Sequence, residues 1–166
     1  MSELGFQLEV LAEVVLAMVL GGLIGFEREL AGKSAGLRTH MMTAAAAALL
    51  VALGDVLVHR FDSRPGLTIQ SDPIRIVEAV VTGVSFLGAG MIFRRDGKTG
   101  VHGLTTASGL LLTAGIGICV ALHQFVLAVG VTLVTMLILR GMMWLERRLT
   151  ARGTLDSGQE TPGGPS

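Results

Sequence analysis

Cysteine, proline and charge are all scarce in this sequence. A single Cys, Cys119, allows neither an internal disulfide nor a cysteine-rich zinc site. Only 4 Pro accompany 23 Gly, and the absence of a Gly-X-Y period excludes a collagen-like chain. Charged residues make up 16% of the chain, against about 25% in soluble domains. The 13 basic residues balance the 13 acidic ones. This leaves no basic excess for binding nucleic acid and no driving force for charge-driven disorder over most of the length. No Lys or Arg precedes the first apolar run. The positive n-region of a cleavable signal peptide is therefore missing, and that run is expected to persist as a membrane span. His40, His59, His102 and His123 show no His-x-x-x-His spacing, and no nucleophile pairs with a base. The chain is therefore expected not to be an enzyme and to carry no resident cofactor.

What is present is long apolar sequence. The 166 residues suit one domain; 51% are hydrophobic and the mean hydropathy is +0.66. A helix crossing the hydrocarbon core needs about 20 mostly apolar residues. Five such runs occur, at about 8–26, 41–58, 74–93, 104–122 and 124–143. Almost every charge within them lies near a run's end, where its side chain can reach the interface. The fourth run offers only Thr, Ser and Gly as polar residues, too few for the solvated stripe of a soluble bundle helix. Runs four and five would form one helix of about 60 Å, twice a bilayer, so the chain must turn near Leu122–Gln124. The expected fold is all-α: a polytopic membrane protein in which 1–149 forms two helix hairpins plus a fifth helix. Residues 150–166 lack an apolar period and are expected to be a disordered cytoplasmic tail.

The charges give an orientation. Arg28, Lys33 and Arg38 follow run one, Arg94, Arg95 and Lys98 follow run three, and Arg140, Arg147, Arg148 and Arg152 end the chain. Only Arg60, Arg64 and Arg75 lie at the opposite ends. Basic residues mark cytoplasmic loops, so the N-terminus is expected outside and the C-terminus in the cytoplasm. The outer ends then carry Glu3, Glu9, Glu13, Asp55, Asp62, Asp72 and Glu78. Such an acidic mouth concentrates cations, although it is equally the ordinary counterpart of the positive-inside bias. Within it, Asp72 and Glu78 are candidate cation contacts, with Mg²⁺ as ligand or substrate. Glu78 lies inside a span, where an ionisable side chain is a functional candidate by default, and pairing with Arg75 on the same face is its structural alternative. Asp72-Pro73 also has the form of a helix N-cap followed by a first-turn proline.

Small residues recur every four positions at Ala17, Gly21 and Gly25, at Ala44 and Ala48, and at Ser85 and Ala89. Such faces let helices approach closely in lipid, within one chain or across a homodimer seam. A weak internal repeat places Gly32-Lys33-Ser34 before the second span and Gly97-Lys98-Thr99 before the fourth. Neither fits a phosphate-binding loop, because Glu27 and Ile92 stand where that pattern needs glycine.

The segments Gly22-Leu23-Ile24-Gly25-Phe26-Glu27-Arg28-Glu29-Leu30 and Gly32-Lys33-Ser34-Ala35-Gly36-Leu37-Arg38-Thr39-His40 resemble the signature of the MgtC/SapB family. Gly83-Val84-Ser85-Phe86-Leu87-Gly88-Ala89-Gly90-Met91-Ile92, then Gly103-Leu104-Thr105-Thr106-Ala107, and Asp72-Pro73-x-Arg75 follow the same pattern. The resemblance covers roughly Val19 to Gly117 and extends loosely to Glu146-Arg147-Arg148. The chain departs from it at Leu110-Leu111-Leu112, where many relatives carry Trp, and it is expected to be a short form without the soluble C-terminal domain of longer members. The resemblance implies a bacterial inner-membrane protein of about five spans. It further implies a regulatory or interaction role in adaptation to low magnesium or acid, in a family connected with virulence, through a membrane complex such as the ATP synthase. A small Mg²⁺ transporter is the alternative. The candidate inner-face cluster comprises Glu27, Arg28, Glu29, Lys33, Arg38, His40, Arg94, Thr105 and Thr106, charged and polar groups at the membrane boundary that can pair or face a cavity. A test of orientation follows: fluorescent protein fused at the C-terminus should fold and fluoresce, and alkaline phosphatase fused there should be inactive. The opposite pattern would reverse the topology.

Overall fold

The computed structural model describes residues 3–62, 72, 74–94 and 101–156. Five helices carry the chain: α1 (Glu3–Leu30), α2 (Leu37–Asp62), α3 (Ile74–Met91), α4 (Leu104–Ala121) and α5 (Phe125–Asp156). All five contain a stretch long and apolar enough to cross a membrane. The third ends earlier than the expected Phe93. Ile92 closes it by donating its N–H to the Ala89 carbonyl, and Phe93–Arg94 (β1) then pairs antiparallel with Val101–His102 (β2). At the other end of the chain, α5 continues to Asp156, into the segment expected to be a tail. There Arg148 stacks its guanidinium 4.1 Å from the centre of the Trp144 ring, one helical turn earlier, which supports the continuing helix. Residues 157–166 lie outside the described residues.

Two reversals are built the same way. Lys33 N–H reaches the Arg28 carbonyl and Gly32 N–H the Glu29 carbonyl, with Gly32 at φ 64°. After α4, Gln124 N–H reaches the Cys119 carbonyl and His123 N–H the Val120 carbonyl, with His123 at φ 56°. Both are Schellman caps, in which one left-handed residue satisfies the last carbonyls of a helix. Glycine takes that conformation freely, and His is one of the few other residues enriched in it. The second cap produces the turn expected at Leu122–Gln124.

The centre of the bundle is α1, α2 and α4. Their facing residues are small or β-branched: Ala17 and Ile24, then Ala44, Ala47 and Ala48, then Ala114, Ile116 and Val120, each at most 1% exposed. The repeat of small residues explains the close fit. A Cβ added to Gly25 would sit 2.8 Å from both the Gly36 carbonyl oxygen and the His40 Cβ. One added to Gly21 would sit 2.7 Å from the His40 carbonyl oxygen. In lipid no hydrophobic force drives apolar helices together, so close packing must supply the association. Hydroxyls that would otherwise be stranded in the bundle bond back along their own helices. Thr43 donates to the Thr39 carbonyl, Thr113 to Gly109 and Thr132 to Ala128, each at 2.8 Å.

α3 packs on α4 and more lightly on α2, while α5 lies against α1 and α4. Only 11% of the span in each of α3 and α5 is buried, leaving Phe86, Val126 and Leu137 facing outward. The hairpin order sets the two ends of the bundle. The ends of α1, α3 and α5 and the starts of α2 and α4 gather at the basic end, and the opposite termini gather at the acidic end.

Gly25→Ala should lower stability in detergent by about 1–3 kcal/mol through overpacking. Gly83, whose added Cβ would meet nothing within 4 Å, should accept Ala with no loss, or a gain of up to about 1 kcal/mol from helix propensity. Reversible unfolding of both variants would check the contrast, and equal losses would show that the α1–α2 seam does not depend on close approach.

Candidate functional site

At the basic end the last turns of α1 bury an ion pair. Arg28 Nε lies 2.8 Å from Glu27 Oε2 and Arg28 Nη2 lies 3.2 Å from Glu27 Oε1, a two-pronged contact between sequence neighbours. Both side chains are nine-tenths or more buried. Leaving either charge alone at such depth is costly, and the fork geometry satisfies two guanidinium donors and both carboxylate oxygens at once. Beside Arg28 opens a cavity of about 390 Å³ lined by Lys33, Thr105 and the α5 residues Ile138, Leu139 and Met142. On the Glu27 side a second cavity of about 310 Å³ reaches Arg140 and Trp144. The pair is thus the polar partition between two recesses that α5 partly covers.

The other members of the expected cluster separate into distinct roles. Glu29 is exposed and accepts the Leu37 N–H at 2.8 Å, so it caps the start of α2. Arg38 is exposed, and none of the described residues forms an ion pair with it. Thr106 is buried at the start of α4, next to the exposed Thr105. The side chain of Arg94 lies outside the described residues. His40 is fully buried in the seam of α1, α2 and α4. Its Nδ1 lies 3.0 Å from the Gly36 carbonyl oxygen, which fits a donated N–H. Among the described residues its Nε2 has no hydrogen-bond partner, and Gly109 of α4 faces it, where an added Cβ would sit 3.5 Å away. Glu27, Arg28, Lys33 and Thr105 are therefore brought together, while Glu29 and His40 hold the α1–α2 seam.

At the acidic end Asp72 accepts the Ile74 N–H at 3.0 Å, which is the expected N-cap of α3. Glu78 is exposed on α3, and among the described residues no ion pair joins it to Arg75. A different group forms instead. Glu9 and Glu13 stand one turn apart on α1, and His123 reaches them from the α4–α5 turn. One ligand atom from each lies within 4.8 Å of the others. His123 Nδ1 is 3.1 Å from Glu13 Oε1, and the Glu13 side chain is 8% exposed. Asp55 of α2 lines the same small recess. The four-residue spacing of Glu9 and Glu13 is visible in the sequence, but His123 lies 110 residues from Glu13 and has no spacing signal. Only the docking of α4 on α1 brings it there.

Glu27→Gln should destabilise the protein by about 3–5 kcal/mol, because Arg28 is left buried and unpaired. Replacing both residues by apolar ones, Glu27→Leu with Arg28→Met, should cost much less than the two single losses combined. Reversible unfolding in detergent gives the cycle; additive losses would mean that the pair is not coupled.

Comparison with known proteins places the chain in a family. The model of the MgtC family matches residues 14–148. The chain is 35% identical over 144 residues to the Escherichia coli K12 protein named "Putative magnesium transporter YhiD", covering 85% of this chain and 64% of that protein. It is 38% identical over 122 residues to Protein MgtC of Salmonella typhimurium LT2, covering 73% of this chain and 47% of that one. A Haemophilus influenzae protein is 32% identical over 149 residues, which is 87% of this chain and 62% of its own length. The chain therefore spans less than two thirds of the length of these relatives. No solved structure matches it. With a family model that matches nearly the whole five-helix bundle and relatives 35–38% identical over most of its length, this chain belongs to the MgtC family.

Proposed function

We propose that this chain is a bacterial inner-membrane protein, N-terminus outside and C-terminus cytoplasmic, that regulates a partner membrane complex during adaptation to low magnesium or acid. The observation that carries the reading is the sealed middle of the bundle. The fourteen residue-to-residue steps from Glu13 to Glu27 on α1 span about 21 Å. Over that distance α1, α2 and α4 meet through Ala17, Ile24, Ala44, Ile116 and Val120, all at most 1% exposed. Among the described residues this core places no carboxylate between the two polar ends. An ion crossing the chain would have to shed water with no carboxylate in this core to offset its charge, at a cost of several kcal/mol. The uncovered apolar faces of α3 and α5 are compatible with lipid and equally with contact to another membrane protein. A complex of the ATP synthase type is the partner class in view.

A second reading, a small Mg²⁺ transporter, is favoured by the name of the Escherichia coli relative and by the acids at the outer mouth. Mg²⁺ needs oxygen ligands and keeps several waters, so one or two carboxylates suffice to attract it. The two readings part in a flux measurement. Purified protein in liposomes, checked for folding and orientation, should show no Mg²⁺ uptake above empty liposomes. Saturable uptake would overturn the regulatory reading. Its loss on Glu78→Gln would then put that acid in the pathway, and unchanged uptake would remove it.

A further inference from the structure

We propose that Glu9, Glu13 and His123 form a binding site for a divalent first-row transition-metal ion at the acidic end of the bundle. Three donors of two chemical kinds converge there from two separate elements, α1 and the α4–α5 turn, with one ligand atom of each within 4.8 Å of the others. Around a tetrahedral ion with bonds of about 2.0–2.2 Å, neighbouring ligand atoms stand roughly 3.3–3.6 Å apart. His123 Nδ1 and Glu13 Oε1, at 3.1 Å, are already close to that separation. Glu9 is exposed and on a flexible side chain, so it can close the remaining gap by rotating. A recess of about 60 Å³ adjoins the three, lined also by Asp55, which leaves room for the ion and water at its open positions.

The placement of the ligands fits the role. Glu13 is nine-tenths buried and fixed, its carboxylate turned toward the turn rather than toward lipid. His123 is held by the Schellman cap, and its ring packs edge-on against Phe125 with centroids 5.7 Å apart. These contacts orient the imidazole before any ion arrives, which reduces the ordering cost of binding. Imidazole with two carboxylates selects ions that accept nitrogen, such as Zn²⁺, Co²⁺ or Ni²⁺. Mg²⁺ demands near-octahedral oxygen and gains little from a nitrogen donor. Two carboxylates one turn apart also repel each other, and a cation held between them relieves that repulsion. The inference does not rest on the regulatory reading, because binding at one end of the bundle requires no passage through it.

The test uses the full chain purified in detergent without a polyhistidine tag. Equilibrium dialysis with Zn²⁺, followed by elemental analysis, should give one ion per chain, and Co²⁺ should give the visible absorption bands of a nitrogen–oxygen site. Glu13→Gln and His123→Asn should each weaken Zn²⁺ binding at least tenfold. Asn tolerates the left-handed conformation at that position, so His123→Asn is expected to fold, with an unchanged size-exclusion profile and a lowered melting temperature from the lost Glu13 contact. Gln7→Ala, an exposed side chain on α1 that lines neither the site nor its recess, should bind as the unaltered protein does. Absence of stoichiometric Zn²⁺, or binding by folded His123→Asn equal to that of the unaltered protein, would overturn the site. Displacement of Zn²⁺ by millimolar Mg²⁺ would overturn its assignment to transition metals.

Discussion

The close approach of α1 to α2 is the constraint from which the rest of the molecule follows. Water drives the helices of a soluble bundle together, but in a bilayer the lipid tails are as apolar as the side chains. What remains is contact itself, and Gly21 and Gly25 provide it by letting the backbone of α2 sit almost against that of α1. Ala44 and Ala48 of α2 extend the same thin seam. Gly117 of α4 does so from the other side, where a Cβ would collide with the Ala44 carbonyl oxygen. Among the described residues these three helices meet through side chains that are almost fully buried. α3 and α5 then lie outside them and present most of their surface to the surroundings.

That packing also dictates where charge can go. The thin core excludes large polar groups from mid-depth, so charged side chains collect at the two ends of the bundle. At the basic end Glu27 and Arg28 are drawn in far enough to be buried, and they survive there because each satisfies the other. At the acidic end Glu13 is buried, and its partner comes from a turn rather than from its own helix. The two ends therefore differ in kind. One holds a paired charge flanked by cavities, and the other holds two carboxylates and an imidazole beside a small recess.

Much of this architecture is legible in the amino-acid order. The five spans, their hairpin order, the turn at Leu122–Gln124, the N-cap at Asp72 and the use of small residues as packing faces all follow from local sequence, because each depends on periods of a few residues or on the chemistry of a single helix end. The cluster expected from the matching motifs is legible only in part. Its residues are close in sequence, but a helix spreads neighbours over different faces. Glu29 therefore turns to cap α2, His40 turns into the core, and Glu27 with Arg28 turns toward α5. Periodicity names the end of the bundle at which these groups sit, but not which of them meet.

Composition and run length are enough to dictate the class of molecule: a chain with 51% hydrophobic residues and five runs of spanning length has no stable solution but a helical bundle in a membrane. Which helix ends touch is settled only when the helices pack. The 3.1 Å contact between Glu13 and His123 arises from the way α4 docks on α1, at Gly21 and Thr113. Helix formation is local and satisfied by hydrogen bonds four residues apart, whereas a site is a distance between helices. That distance is set by the small residues that let the helices approach.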